Sequence, residues 1–221
     1  MSAVSTYPER NFSQIYHTLL DHYGPQHWWP ADTAFEVMVG AVLTQNTAWR
    51  NVEAAIKNLK AADLLAADRI INCPDVELAQ LLRPAGYFNI KTRRLKNLCQ
   101  LLYKAGFAQL QEMSTSELRR QLLAVNGVGP ETADDILLYA FQRPVFVIDA
   151  YTRRIFSRFG LVSGNESYEV LRTRFEGSLD ASAAIYNEYH ALIVQHAKQA
   201  CRVKPACNRC VLHSRCEYPD K

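Results

Sequence analysis

Hydrophobic positions recur along most of this chain at the three- and four-residue spacing of α-helices. In residues 11–23 the apolar side chains fall on one side, and Gly24 and Pro25 end the pattern. Residues 33–43 are apolar almost all round, as in a helix buried within a bundle, whereas residues 48–59 return to a single apolar face. The pattern therefore predicts three early helices, the second of them buried.

The remainder of the chain continues in the same way, with one short exception. Further helices are predicted at residues 76–82, 90–104, from a capping box at Ser114 onward, 130–140, 150–159, 167–176 and 182–199. The exception is the apolar run VFVI at residues 145–148, which follows a chain break at Arg143 and Pro144. Alternating β-branched runs typical of a sheet are missing from the sequence. The predicted fold class is all-α.

Size and composition place few limits on this interpretation. The chain has 221 residues and 48% hydrophobic content, enough for one large domain or two small ones that share a cleft. Apolar runs stay well below the roughly twenty residues that span a bilayer, and the N-terminal residues lack the features of an export signal. The expectation is a cytoplasmic protein with no membrane contact.

Charge becomes informative only through its distribution, because the net charge is just +3. Six basic residues and no acidic ones fall between positions 83 and 104: Arg83, Lys91, Arg93, Arg94, Lys96 and Lys104. Basic residues again outnumber acids from Lys198 onward. Each cluster taken singly is typical of a solvated helix face, but a phosphate-binding motif elsewhere would favour a nucleic-acid surface.

Such a motif stands at residues 125–134, VNGVGPETAD. Gly127 and Gly129 flank Val128 in a turn too tight for larger side chains, and Pro130 suits the first position of a helix. The unpaired N–H groups of a helix start can bind a phosphate without reading a base. A simple turn between two helices is the alternative interpretation.

This segment resembles the helix–hairpin–helix of the endonuclease III-like DNA glycosylases, in which a hydrophobic run then leads to a catalytic aspartate. The resemblance implies a six-helix domain over residues 30–143 and a second helical domain formed by residues 1–29 and 144–221. Double-stranded DNA containing a damaged base would bind a monomer in the groove between them. The implied DNA contacts are Gly127, Val128, Gly129, Thr132, Lys91, Arg153, Arg202 and Lys204.

Asp149 is the candidate catalytic residue, since it ends the hydrophobic run VID at the distance from the hairpin that the resemblance implies. Base removal passes through a positively charged sugar, which an anion near C1′ stabilises. A carboxylate can also orient or deprotonate the attacking water. The alternative is a purely structural N-cap for the helix that starts at residue 150.

Glu131 stands where bifunctional members of the resembled family carry the lysine that forms a Schiff base with the sugar. A carboxylate cannot form an imine. With glutamate in place of the lysine, the resemblance implies hydrolysis of the N-glycosidic bond without strand cleavage. An acidic residue in a first helical turn is also favourable for stability alone.

Four of the six cysteines crowd the C-terminal end with the spacing C-x5-C-x2-C-x5-C: Cys201, Cys207, Cys210 and Cys216. Their density indicates a soft metal, either tetrahedral zinc or a [4Fe–4S] cluster. The segment resembles the iron–sulfur loop of endonuclease III-like chains, which favours the cluster, although the family loop commonly has six residues between its first two cysteines. Cys73 and Cys99 have apolar neighbours at helical spacing and are expected in the core.

The early tryptophans indicate a substrate class. Trp28 and Trp29 precede Pro30, and Trp49 follows the motif TQNT at residues 44–47. Together with GYFNIK at residues 86–91, this order resembles the 3-methyladenine DNA glycosylase branch of the superfamily. The resemblance implies that the tryptophans enclose an extruded base, while Gln45 fills the gap left in the duplex. Core packing is the alternative for each tryptophan.

The sequence therefore predicts a monofunctional glycosylase for alkylated purines, whose positive charge suits aromatic faces. A glycosylase for uracil or mismatched thymine is one alternative, because such relatives also replace the lysine. A non-catalytic protein that only binds damaged DNA is the second.

Overall fold

The structure is a computed structural model that describes the backbone of residues 8–218 and the side chains from residue 12 onward. Helices and turns make up this range, and it contains no strand, so the predicted all-α fold is confirmed. Residues 1–7 and 219–221, which the sequence assigns to the second domain, lie outside the described residues. No helix within the described part is long and apolar enough to cross a membrane.

The chain divides into two compact units. The central unit comprises Trp29–Arg143 and carries eight α-helices: α2 (Ala34–Leu43), α3 (Trp49–Ala61), α4 (Ala67–Asn72), α5 (Asp75–Leu82), α6 (Phe88–Ala105), α7 (Phe107–Glu112), α8 (Thr115–Leu123) and α9 (Pro130–Asp135). The terminal unit comprises Met1–Trp28 and Pro144–Lys221, and its helices are α1 (Pro8–Tyr23), α10 (Ala150–Arg158), α11 (Tyr168–Gly177) and α12 (Ala183–Gln199).

Helix α2 is the buried centre of the central unit, as its apolar composition predicts. Thr33 caps its start by accepting a hydrogen bond from the Glu36 amide at 3.1 Å, and every residue from Glu36 onward is buried. The helix packs against α3, α6 and α9. Helices α4 and α7 were not predicted, because six residues are too few to display a helical period.

The predicted helix at residues 130–140 changes geometry part of the way along. Helix α9 gives way to a π-helical turn over Ile136–Ala140, which is buried throughout and closed by the Phe141 amide donating to the Ile136 carbonyl. The wider turn presents Tyr139 to the ring of Trp29, with centroids 4.9 Å apart. Sequence periodicity does not distinguish a π turn from an α-helix, so this difference was invisible beforehand.

The terminal unit is built around aromatic side chains. Helices α1, α10, α11 and α12 supply rings that meet edge-on or stacked, namely Phe12, Phe156, Phe175 and Tyr189, with Phe146 from the run before α10. The VFVI run at residues 145–148 is fully buried and non-helical, as predicted. It fixes the start of α10, and with it the position of Asp149.

Candidate active site and nucleic-acid interface

The glycine turn before α9 is shaped by contact with α6. Gly127 has φ +97°, and a Cβ at this position would collide with the aliphatic stem of Arg94. Asn97 donates to the Asn126 carbonyl at 3.0 Å. Gly129, in contrast, has extended backbone, and a Cβ there would meet no protein atom within 4 Å. The first glycine is required by the protein itself, and the second faces open space.

Gln45 is bonded to this turn through its whole side-chain amide. Its Nε2 donates to the Gly127 carbonyl at 3.0 Å and to the Thr132 hydroxyl at 2.9 Å. Its Oε1 accepts from the Arg94 guanidinium at 2.6 Å. Gln45 therefore stabilises the hairpin. To fill the gap left in the duplex by an extruded base, its side chain would have to break these three hydrogen bonds. Thr132 itself is buried.

The prediction that Lys91 contacts DNA is wrong for the observed conformation. Lys91 is only 1% exposed, and its Nζ donates to the carbonyls of Leu43 at 2.9 Å and Ala85 at 2.8 Å. Burial, together with the charge of Arg94, lowers the pKa of Lys91 to about 8. The ammonium caps the end of α2, directly before the segment that carries Gln45.

The hairpin helices are held together by a buried ion pair. Arg119 of α8 donates two hydrogen bonds to the carboxylate of Asp134 in α9, at 2.7 and 3.1 Å. Asp134 is fully buried. Glu131, by contrast, is exposed in the first turn of α9, where a carboxylate complements the helix dipole.

Trp29 and Trp49 form an aromatic corner in the central unit. Their ring centroids lie 5.1 Å apart with an interplanar angle of 88°. Gly40 of α2 leaves room for this arrangement, since a Cβ at Gly40 would stand 3.2 Å from Cζ2 of Trp29. Tyr139 contacts the same ring. Both tryptophans are half-buried.

A cavity of about 600 Å³ opens beside this corner. Its lining combines the two indoles with Pro30 and charged side chains, among which Lys60 binds Asp32 at 2.7 Å and Glu36 at 2.8 Å. Trp28 belongs to the terminal unit, where its ring lies 5.4 Å from the ammonium of Lys198. The structure thus brings Trp29 and Trp49 together within the central unit.

Asp149 is held firmly at the start of α10. Its Oδ1 accepts from the Thr152 amide at 2.7 Å and from the Thr152 hydroxyl at 2.8 Å. Its Oδ2 lies 3.6 Å from Nε2 of His190 in α12. Burial alone would raise the pKa of Asp149, but the His190 contact and the Thr152 hydrogen bonds bring it below the ordinary value. Asp149 is thus the N-cap of α10, and the cap leaves its second carboxylate oxygen unused.

His190 was not predicted as a site residue from the sequence, since a histidine on a mostly apolar helix carries no distinctive signal.

Among the predicted DNA contacts of the terminal unit, Arg202 and Lys204 are exposed. Arg153 is half-buried, and its guanidinium donates to the Glu166 carbonyl at 2.8 Å.

All four C-terminal cysteines line one small cavity of about 20 Å³: Cys201, Cys207, Cys210 and Cys216. None of them forms a disulfide. Within the described residues, no group of three or more histidines, cysteines or carboxylates is arranged to hold a single metal ion. Cys73 and Cys99 are buried in the central unit, as predicted, and burial raises the pKa of Cys99 to about 12.

Neighbouring side chains donate to this cysteine loop. Arg158 of α10 contacts the Cys201 sulfur at 3.5 Å and the carbonyls of Arg202 and Val203 at 2.6 and 3.0 Å. His196 of α12 lies 3.5 Å from the sulfur of Cys210. The loop is therefore fixed to α10 and α12 by polar contacts.

Comparison with known proteins identifies the class that this fold and site define. Residues 39–180 match the model of the HhH-GPD superfamily of base excision DNA repair proteins, and the chain belongs to that family. It is a DNA N-glycosylase.

Individual relatives agree with this assignment. The chain is 49% identical over 208 residues to a Methanocaldococcus jannaschii protein provisionally named as a DNA repair glycosylase, covering 92% of this chain and 94% of that one. It is similar to H. pylori 3-methyladenine DNA glycosylase bound to 1,N6-ethenoadenine, with a TM-score of 0.72, 31% identity, and coverage of 86% and 95%. Endonuclease III in a non-covalent DNA complex shares the fold, with a TM-score of 0.80, 20% identity, and coverage of 94% of both chains.

Proposed function

We propose that this DNA glycosylase hydrolyses the N-glycosidic bond of alkylated purines and leaves an abasic site without cutting the strand. The observation that carries the proposal is the Trp29–Trp49 corner beside a cavity of about 600 Å³. A purine alkylated at N3 or N7 is cationic in DNA, and electron-rich indole faces stabilise a cation by about 0.5–2 kcal/mol. The similarity to a glycosylase that acts on 3-methyladenine supports the same choice.

Asp149 would perform the chemistry through its Oδ2. The C1′–N bond breaks with its electron pair leaving on the base, and the anionic carboxylate stabilises the cationic sugar. A water oxygen then forms the new bond to C1′, and its proton passes to Oδ2. Because Oδ1 is occupied as the N-cap of α10, the carboxylate keeps one orientation throughout.

Glu131 supports hydrolysis without strand cleavage. A Schiff base requires an amine, and this exposed position at the start of α9 carries a carboxylate. Lys91 is no substitute, because its Nζ is buried and bonded to two carbonyls. Base release is therefore expected to leave the phosphodiester backbone intact.

For DNA binding, we infer that the backbone around Gly127–Gly129 takes one phosphate, since a Cβ at Gly129 meets no protein atom. Arg202 and Lys204 are exposed and available for phosphate, whereas Arg153 is tied to a carbonyl. The two compact units are proposed as the two domains of a monomer acting on duplex DNA in the cytoplasm.

The cysteine loop fits a [4Fe–4S] cluster better than zinc. Four thiols line one cavity, and among the described residues they do not form the convergent group that tetrahedral zinc requires. A cluster binds each thiolate through a different iron atom and needs no such convergence. Cys201, Cys207, Cys210 and Cys216 would hold it, and it would cross-link a loop that has little core of its own.

The deciding experiment is a base-release assay on duplexes carrying 3-methyladenine, 7-methylguanine, uracil or a G·T mismatch. We expect release of the methylated purines, no strand breaks before alkaline treatment, and no borohydride-trapped adduct. Release of uracil or thymine alone would instead establish the pyrimidine alternative. Asp149→Asn should abolish release while retaining DNA binding, and an active variant would remove Asp149 from the mechanism.

A further inference from the structure

The two carboxylate oxygens of Asp149 have different surroundings. Oδ1 receives both hydrogen bonds from Thr152, at 2.7 and 2.8 Å, and so completes the cap of α10. Oδ2 takes no part in the cap and faces His190 of α12. One oxygen is thus fixed by the fold, and the other faces an ionisable ring from a different helix.

The contact between Asp149 and His190 is secluded from water. The side chains are 13% and 7% exposed, and Nε2 of His190 lies 3.6 Å from Oδ2. That separation is too long for a strong hydrogen bond, but a polar ring group at this distance acts on the carboxylate through a low local dielectric, which strengthens the interaction. Polar groups near Asp149 include Thr152 in α10 and Tyr168 of α11, whose hydroxyl accepts from the adjacent Ile148 amide at 3.4 Å.

We propose that His190 is a positioning residue for Asp149, holding Oδ2 in place and keeping the carboxylate anionic in its buried site. The inference rests on the proposed catalytic role of Asp149. Burial by itself would favour the neutral acid, which could neither stabilise a cationic sugar nor accept a proton from water. The Thr152 hydrogen bonds offset part of that effect through Oδ1, and His190 is the group from a second helix that acts on Oδ2.

A purely structural role for His190 makes a different prediction. If the ring only fills space between α10 and α12, its replacement would lower stability and leave the pH dependence of catalysis unchanged. If it maintains the charge of Asp149, replacement would raise the pH at which the carboxylate ionises in the free enzyme. The acid limb of the pH–rate profile for base release therefore distinguishes a structural role of His190 from a positioning role.

The test compares His190→Gln and His190→Leu with the wild type in single-turnover release of a methylated purine across pH. We expect the rate at neutral pH to fall about tenfold to hundredfold, with the acid limb moved upward by about one pH unit or more. Binding of the variants to duplex DNA containing an abasic site should stay close to that of the wild type. Gln retains the size and polarity of the site, so it serves if Leu prevents folding.

An unchanged acid limb and rate in His190→Gln, with or without a lower melting temperature, would overturn the inference. Failure of the underlying mechanism is distinguishable, since it would appear as an active Asp149→Asn variant. Rates for His190→Gln are normalised to the folded fraction measured by circular dichroism at each pH, so that loss of structure is not counted as loss of catalysis.

Discussion

The side-chain amide of Gln45 donates to the carbonyl of Gly127 at 3.0 Å and ties the end of α2 to the glycine turn. The same group donates to Thr132 and accepts from Arg94. The phosphate-binding candidate is therefore set by a residue far away in the sequence. Its geometry is a property of the packed central unit.

Gln45→Ala should weaken this turn. The substitution removes three hydrogen bonds and leaves the guanidinium of Arg94 without its partner on Gln45. We expect a loss of about 1–3 kcal/mol in unfolding free energy, with weaker binding to undamaged duplex DNA. Urea denaturation and fluorescence anisotropy measure the two effects. Undiminished stability would show that the three contacts contribute nothing to folding.

The two glycines of the turn should respond differently to alanine. Gly127→Ala forces a Cβ into Arg94 at φ +97°, so stability and DNA affinity should both fall, stability by about 1–3 kcal/mol. Gly129→Ala meets no protein atom within 4 Å and should leave the melting temperature nearly unchanged. If a phosphate approaches the backbone at Gly129, this second variant will still lose DNA affinity. Equal affinity of Gly129→Ala and wild type would place the phosphate elsewhere.

Gly40→Ala tests the aromatic corner. The added methyl group would stand 3.2 Å from Trp29, and the ring must move away to accommodate it. We expect a severalfold loss in the rate of methylated-purine release, because a displaced ring stacks poorly on the base. Gly177→Ala is the matched control, since a Cβ there meets nothing within 4 Å. A rate for Gly40→Ala equal to that of the control would argue that Trp29 does not touch the substrate.

Lys91 should make stability depend on pH in the alkaline range. Its pKa in the folded protein is about 8, whereas an unfolded lysine titrates near 10.4. Between these values the unfolded chain binds more protons, so the contribution of Lys91 to stability increases as pH rises from about 8 to 10. Denaturation of wild type and Lys91→Met at both pH values measures it. The unfolding free energy of the wild type, relative to that of Lys91→Met, should increase with pH. A difference that stays constant between pH 8 and 10 would contradict a lowered pKa for Lys91.

Loss of one of the four C-terminal cysteines should remove the proposed cluster. Cys207→Ser is expected to eliminate the brown colour and visible absorbance of purified protein, and to weaken DNA binding through Arg202 and Lys204. Cys73→Ala is the control, because Cys73 belongs to the core of the central unit and is not one of the four loop cysteines. A colourless wild-type protein that contains zinc would contradict the cluster assignment.

Much of the local structure could be predicted from the amino-acid sequence alone. Helical periodicity predicted the long helices and the buried character of α2, because hydrophobic spacing reflects the geometry of a single helix. The cap at Ser114 and the N-cap function of Asp149 are local too, since each side chain bonds an amide three residues later. The four clustered cysteines needed only their spacing to indicate a metal.

Contacts between residues that are distant in the sequence depend on the tertiary structure and could not be predicted. Lys91 and Arg94 stand in the same basic run, yet one is buried as a cap for α2 and the other braces the hairpin. The pairing of His190 with Asp149 likewise depends on how α12 packs against α10. Sequence spacing describes which face of a helix a residue occupies, whereas burial and charge partners depend on the helix that comes to cover that face.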